Sequence, residues 1–453
     1  MCGVGSPATP PGTETRPPGT IDGVALCDVL VVGGGFGGAL GARHLEKLMR
    51  GRPERIVMVA HENFMLFSPL LPEAASGTLE PRHAVIPLRE LLDRTTLLVG
   101  DVVALDPVGR TATVRTVSGD TLELEFARAL VSPGSVPTIV PVPGLTAHAV
   151  GFKTLADAIW LRNRVLRQLD VAQASSDPVD RRRHLTFTFI GGGYAGVEAL
   201  AELESLARDA VRRYQGLTIE DFRWVLVEAQ QTLLPGLHPD LADFTAKVLR
   251  RRGVEVHLGT RLVSCIDKTV VLSDETVEPY RSETIVWTAG QRPNPDVAGF
   301  GLPTDERGFV PVDDGMEVIG VPNVFMVGDA AKVPVPEGGF APMTAQHALR
   351  EAKVAAVNIA ASFGVGRRTR LTYRNRGLAV TLGKWQGTAQ VRRFTFTGPL
   401  AWWMGRSYHL LMIPGVARKA RVVSDWTIGL LFRRDVSQLG QLGKPTPLEP
   451  DVS

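Results

Sequence analysis

Residues 28–32 form a short aliphatic run that breaks at the glycine-rich residues 33–38 and resumes, over 39–50, with apolar residues three and four apart. The first pattern predicts a buried strand, the last an amphipathic helix, and the glycines a tight turn between them. A second aliphatic run, Ile56–Ala60, completes a β-α-β unit. The order then repeats, with an apolar run at 184–190, glycines at 191–196, a helical stretch at 198–214 and a strand at 224–228. Between the two units, residues 97–130 alternate polar and apolar around turn-forming 106–110 and 118–120, as antiparallel strands do. Further strands are predicted at 254–257, 270–272 and Thr284–Trp287. From about Gly366 the β-α-β rhythm stops, and the chain becomes rich in Trp, Arg and Leu.

The predicted class is therefore α/β, with two Rossmann-like dinucleotide-binding domains and a C-terminal region of a different kind. A length of 453 residues, with 44 % hydrophobic and 21 % charged content, suits two or three cores. The net charge of +3, spread over 50 basic and 47 acidic residues, supplies no field that would draw nucleic acid. The cysteines, Cys2, Cys27 and Cys265, are spaced for neither a disulfide framework nor a zinc site, which points to a reducing compartment and no metal. Residues 1–27, rich in Pro, Gly and Thr, read as a disordered tail rather than a signal or transit peptide. The long uncharged stretch 129–152 is interrupted by Pro133, Pro137, Pro141 and Pro143, so no transmembrane helix is expected.

Each glycine turn carries the spacing that binds a pyrophosphate: Gly33, Gly35 and Gly38 in the first, Gly191, Gly193 and Gly196 in the second. In such a turn the first glycine permits the bend, the second lets backbone approach the phosphates and the third lets helix pack on strand, with the anion on the positive helix end. Two dinucleotide sites in one chain imply electron transfer between two cofactors. The second unit's strand ends in Glu228, placed to bind the adenosine ribose hydroxyls and to repel a 2′-phosphate, which favours NADH over NADPH. The first unit's strand ends in Ala60, followed by His61 and Glu62, where a carboxylate is usual. Further on, an apolar strand closes in Gly328-Asp329, and a carboxylate so placed suits a flavin ribityl hydroxyl as well as it suits a helix cap.

Together the segments 31–38, 63–83, 151–159, 189–203, 227–237, 285–295, 323–331 and 341–352 resemble the type II NADH dehydrogenases, the non-proton-pumping NADH:quinone oxidoreductases of the two-dinucleotide-binding flavoproteins. The resemblance implies an FAD-binding domain over 28–152 and 292–365, an NAD-binding domain over 153–291 and a membrane-associating region over 366–453. It implies that Gly33, Gly35, Gly38, Gly328 and Asp329 hold FAD and that Gly191, Gly193, Gly196 and Glu228 hold NADH. Glu198 corresponds to a glutamate between flavin and nicotinamide, or is simply an acid near a helix N-terminus. Gln346 and His347 match the segment lining the quinone pocket, or are capping polarity on a helix opening near 342–345. The family's Ala-Thr-Gly at the end of the first domain appears here as Ser132-Pro133-Gly134, and Tyr194 is a second departure. Disulfide reductases place a cysteine pair in the region of 65–77; this chain has none there.

The expected activity is hydride transfer from NADH to FAD and two-electron transfer to a quinone of the respiratory chain. The region from Leu400 to Phe432 reads as the membrane contact, with Trp402, Trp403, Tyr408 and Trp426 at the interface and Arg406, Arg418, Lys419, Arg421, Arg433 and Arg434 toward anionic headgroups. Packing on the first domain, or on a second copy in a homodimer, is the alternative for that region. A peripheral protein on the cytoplasmic face of a bacterial-type membrane follows. Two other readings remain open from sequence: a soluble NADH-dependent reductase of a ferredoxin- or rubredoxin-type carrier, and a non-enzymatic NADH-sensing flavoprotein.

Overall fold

The computed structural model describes residues 20–21, 24–336, 338–372 and 377–438. Along the chain, strand β1 (Val24–Val32) leads through the first turn into helix α1 (Phe36–Leu48) and strand β2 (Ile56–Ala60). Helix α2 (Leu71–Ala75) precedes strands β3 (Thr96–Asp106), β4 (Thr111–Thr116) and β5 (Thr121–Val131). Then come strand β6 (Ala149–Val150), helix α3 (Leu155–Ala174), strand β7 (Thr186–Ile190), helix α4 (Tyr194–Ala210) and strand β8 (Arg223–Glu228). Helix α5 (Pro239–Arg251) and strands β9 (Val254–Leu258) and β10 (Thr284–Trp287) follow. The chain continues through strand β11 (Val324–Met326) and helix α6 (Ala345–Ser362). It closes with strands β12 (Gly377–Thr381), β13 (Gly387–Val391) and β14 (Phe394–Thr397) and helices α7 (Gly398–Met412) and α8 (Val416–Leu431).

Two compact units result. One comprises 1–65, 87–135 and 293–373; the other comprises 66–86, 136–292 and 374–453. In the first, β1 pairs in parallel with β2 and β5, and β5 with β11, while β3, β4 and β5 form antiparallel hairpins as the alternation predicted. The second has a parallel sheet in the order β6-β10-β7-β8-β9. Every residue of β2 and of β7 is buried, which is why both read as continuous apolar runs. Most of the 1–27 tail lies outside the described residues, but Val24–Cys27 already belong to β1. Three further boundaries differ from the sequence reading: residues 66–86 and 136–152 group with the second unit, and so does the C-terminal region from 374.

The C-terminal helices correct the expected anchors. Trp402, Trp426, Arg406 and Arg418 are 1 %, 7 %, 4 % and 8 % exposed, and the Arg434 guanidinium is turned to Glu202 and Asp209, 3.6 Å from each, so none of them meets a bilayer. The reason is Glu73 on α2, a buried carboxylate that needs a cation. Arg406 supplies it, with Nε 3.2 Å from Glu73 Oε1 and the guanidinium 4.1 Å from the Trp402 ring centre and 4.8 Å from that of Trp426. Trp426 Nε1 donates to the other carboxyl oxygen, and Arg418 donates to the Arg82 carbonyl oxygen at 2.9 Å. Among the described residues no helix is long and apolar enough to cross a membrane.

Candidate functional site

In the first unit the turn is assembled from three directions. Gly33 N donates to Val59 O at 2.8 Å, and Gly33 has φ +98° because Ser132 O presses on the face a Cβ would take. A Cβ at Gly38 would run into the Gly33 carbonyl oxygen, so only glycine lets α1 begin there. A Cβ at Gly35 would meet nothing within 4 Å: the turn opens onto free space at the mouth of α1, where a pyrophosphate needs room. Val327 N bonds Val131 O at 3.1 Å and brings Gly328 and Asp329 to the same strand ends. Asp329 accepts from Ser135 Oγ at 2.6 Å, and Gly328 N donates to Glu351 Oε2 at 2.7 Å. Burial pushes the Glu351 carboxyl up to about 7.

The second unit repeats the device. Gly191 N donates to Val227 O at 2.8 Å, a Cβ at Gly196 would strike Gly191 O, and Gly193 opens onto free space within 4 Å. Here the strand-end Glu228 is held by two backbone amides, Gly192 N to Oε2 at 2.6 Å and Gln230 N to Oε1 at 2.8 Å. These bonds fix the carboxylate beside the turn and leave it lone pairs for ribose hydroxyls. Both turns therefore fit a dinucleotide.

The repetition also explains the Ser132-Pro133-Gly134 departure. Ser132 N donates to Val32 O at 2.8 Å in one unit, as Thr288 N donates to Ile190 O at 2.8 Å in the other. Gly134 and Gly290 both have positive φ, +75° and +83°. Ser132-Pro133-Gly134 thus does for its turn what Thr288-Ala289-Gly290 does for the second. Sequence reasoning named Ser132 only as a departure and passed over Ser135, Thr288 and Glu351; the signal for Thr288 was the same hydroxyl-x-Gly that follows each sheet's inner strand.

Glu198 is the fifth residue of α4, and its carboxyl turns to β12 rather than to its own helix terminus. Thr381 N donates to Oε1 at 2.8 Å and Thr381 Oγ1 at 3.3 Å. Burial pushes its pKa up to about 8, with the carboxylates of Glu202 and Glu73 adding and the Thr381 bonds opposing. At neutral pH Glu198 therefore carries a proton. Tyr194, at the start of α4, donates to Pro235 O at 3.3 Å.

Helix α6 is capped by Thr344, whose hydroxyl accepts from His347 N and lies 2.8 Å from His347 Nδ1. His347 is buried, and capping is one role it does fill; Gln346 beside it is half-buried. Gln346 and His347 share the first unit with Gly33, Gly35, Gly38, Gly328 and Asp329, whereas Glu198 and Glu228 belong to the second with Gly191, Gly193 and Gly196. The segment 65–77 that contains α2 has no cysteine, and Cys27 and Cys265 are buried, the Cys27 thiol being pushed up to about 12 by burial.

The pyridine nucleotide-disulphide oxidoreductase family matches residues 27–352. The type II NADH:quinone oxidoreductase Ndh of Mycobacterium tuberculosis is 31 % identical over 420 residues, covering 90 % of this chain and 88 % of the relative. A second protein of that organism, NdhA, with the same description, is 28 % identical over 89 % of this chain and 87 % of its own length. Among solved structures, NDH2 of Plasmodium falciparum in complex with NADH shares the fold with a TM-score of 0.82 at 15 % identity, covering 91 % of this chain and 99 % of that one. By fold, turn and likeness along most of its length, this chain belongs to the pyridine nucleotide-disulphide oxidoreductases and, among them, to the type II NADH:quinone oxidoreductases.

Proposed function

We propose that this chain oxidises NADH in its second unit through FAD held in its first, and delivers two electrons to a quinone without pumping protons. The observation that carries the reading is the doubled turn, two phosphate cradles of one build with only the second closed by a carboxylate. Bound FAD supplies the chemistry, accepting hydride from the nicotinamide and returning two electrons to the quinone. Gly33 makes the bend, Gly38 lets α1 start against it, and the open backbone at Gly35 would receive the pyrophosphate of FAD, while Asp329, oriented by Ser135, would receive a ribityl hydroxyl. Gly191, Gly193 and Gly196 do the same for NADH, and Glu228 reads its ribose and excludes a 2′-phosphate.

Quinone reduction takes up protons. Two candidates for the donor role are proposed separately: Glu198, protonated at neutral pH and held by Thr381 in the second unit, or His347, oriented by Thr344 in the first. The positive end of α6 at Ala345 would favour negative charge beside it, and Gln346 and His347 are the residues we assign to the quinone.

Contact with a membrane surface is assigned to the outer side of α7 and α8, where Leu400, Trp403, Leu411, Val416, Ile428, Leu431 and Phe432 are all exposed. Arg421 and Arg433, also exposed, serve anionic headgroups. The protein then works as a peripheral enzyme on the cytoplasmic face, and a second copy is the other occupant for this side.

The test is an anaerobic mixing experiment with the purified yellow protein. NADH should bleach the flavin absorbance quickly and NADPH slowly, and a short-chain quinone should restore it. Flavin that NADH leaves unbleached would overturn the reading.

A further inference from the structure

The two turns can be aligned by strand register alone. Val32 pairs with Val59 in one unit and Ile190 with Val227 in the other, so the next residues, Ala60 and Glu228, occupy one structural position. Their surroundings agree as well. A Cβ built on Gly34 would lie 2.9 Å from Ala60 Cβ and 3.0 Å from Leu88 Cδ1; one built on Gly192 would lie 3.0 Å from Glu228 Cβ and 2.5 Å from Leu233 Cδ2. The site around Ala60 is thus shaped like the site that holds Glu228, but a methyl group stands where the carboxylate would be.

The neighbouring residues do not replace it as a fixed acceptor. Glu62 is exposed, and His61 is engaged elsewhere, with Nδ1 2.9 Å from Asp101 Oδ1 on β3. Asp329 is bonded to Ser135 at the end of another strand. On the reading that FAD occupies this turn, we infer that Ala60 leaves the adenosine ribose of the flavin without side-chain recognition, so that FAD is held from its pyrophosphate and ribityl parts and is exchangeable. The asymmetry has a use, because both cofactors contain the same adenosine diphosphate. Only the second turn reads its ribose, so NADH is drawn there and not to the flavin's place.

The test uses the flavin-loaded, full-length protein and follows release of FAD on dilution by the recovery of free-flavin fluorescence. Ala60→Glu should tighten FAD roughly tenfold or more, the worth of a charge-assisted hydrogen bond to a ribose hydroxyl. Ala60→Gln, of the same shape without the charge, should tighten it less. In the native protein, an FAD analogue lacking the adenosine 2′- and 3′-hydroxyls should displace bound FAD with an affinity within about twofold of FAD itself. An Ala60→Glu protein that melts normally yet holds FAD no more tightly would overturn the inference, as would an analogue bound roughly tenfold more weakly. The analogue measurement decides even if the variant does not fold. A folded chain that takes up no flavin even when FAD is supplied in excess would instead remove the proposed function itself.

Discussion

The turn that opens α1 and the C-terminal helix pair are stabilised in opposite ways. At Gly38 the structure depends on an atom being absent, since α1 can start only where the Gly33 carbonyl finds no side chain. Around Glu73 it depends on every atom being present: Arg406 and Trp426 close on one buried carboxylate, and Trp402 packs against the Arg406 guanidinium. The first region tolerates no addition and the second no loss. Backbone geometry of the first kind leaves its mark in adjacent residues, whereas the second joins segments far apart in the chain.

The comparison can be broken most severely at the turn. Gly38→Val should abolish flavin retention, leaving a colourless protein, while Gly196→Val should keep the yellow colour and lose NADH binding; absorbance and NADH titration check both. Next is Arg406→Ala, which strands Glu73 without its cation and should cost about 3–5 kcal/mol in thermal or denaturant unfolding. Pairing Arg406→Met with Glu73→Gln should recover most of that loss, because an apolar replacement of both charges is tolerated where removal of one is not. On the outer side of the same helices, Leu411→Asp with Leu431→Asp should change unfolding by only about 0.5 kcal/mol. It should nevertheless move the protein from anionic vesicles into the supernatant in a sedimentation assay, and retention on the vesicles would remove that surface as the membrane contact.

The smallest effect is a shift of pH profile at Glu198. Its pKa is raised above the ordinary carboxylate value, so the group is protonated below about 8 and loses its proton as pH rises through that value. Turnover with quinone should fall over the same interval, and Glu198→Gln should flatten that limb of the profile. An unchanged limb in the variant would take Glu198 out of the proton transfer.

Both β-α-β units were legible because each is written in consecutive residues, and the ends of β2 and β10 fall where the apolar runs end. The glycines of each turn, together with Glu228, Gly328 and Asp329, could be named from spacing, since strand ends fix where such residues project. Glu351 could not, because its bond to Gly328 N depends on how α6 lies across the strand ends. The helix pair misled for a different reason. Trp and Arg make up both a membrane-facing surface and a buried cation–π cluster, and composition alone does not say which side of a helix finds Glu73. Thr344 likewise decides how His347 is oriented, a cap visible only once the start of the helix is known.

The enclosure of Arg406 between two indole rings has a further consequence for the opposite side of the helices. Since α7 and α8 are fastened from within, their outward apolar side chains are already arrayed before any bilayer is met. On the proposed membrane contact, adsorption would demand no coupled folding, because the ordering entropy that a floppy amphipathic tail would lose on landing was spent when the chain first folded.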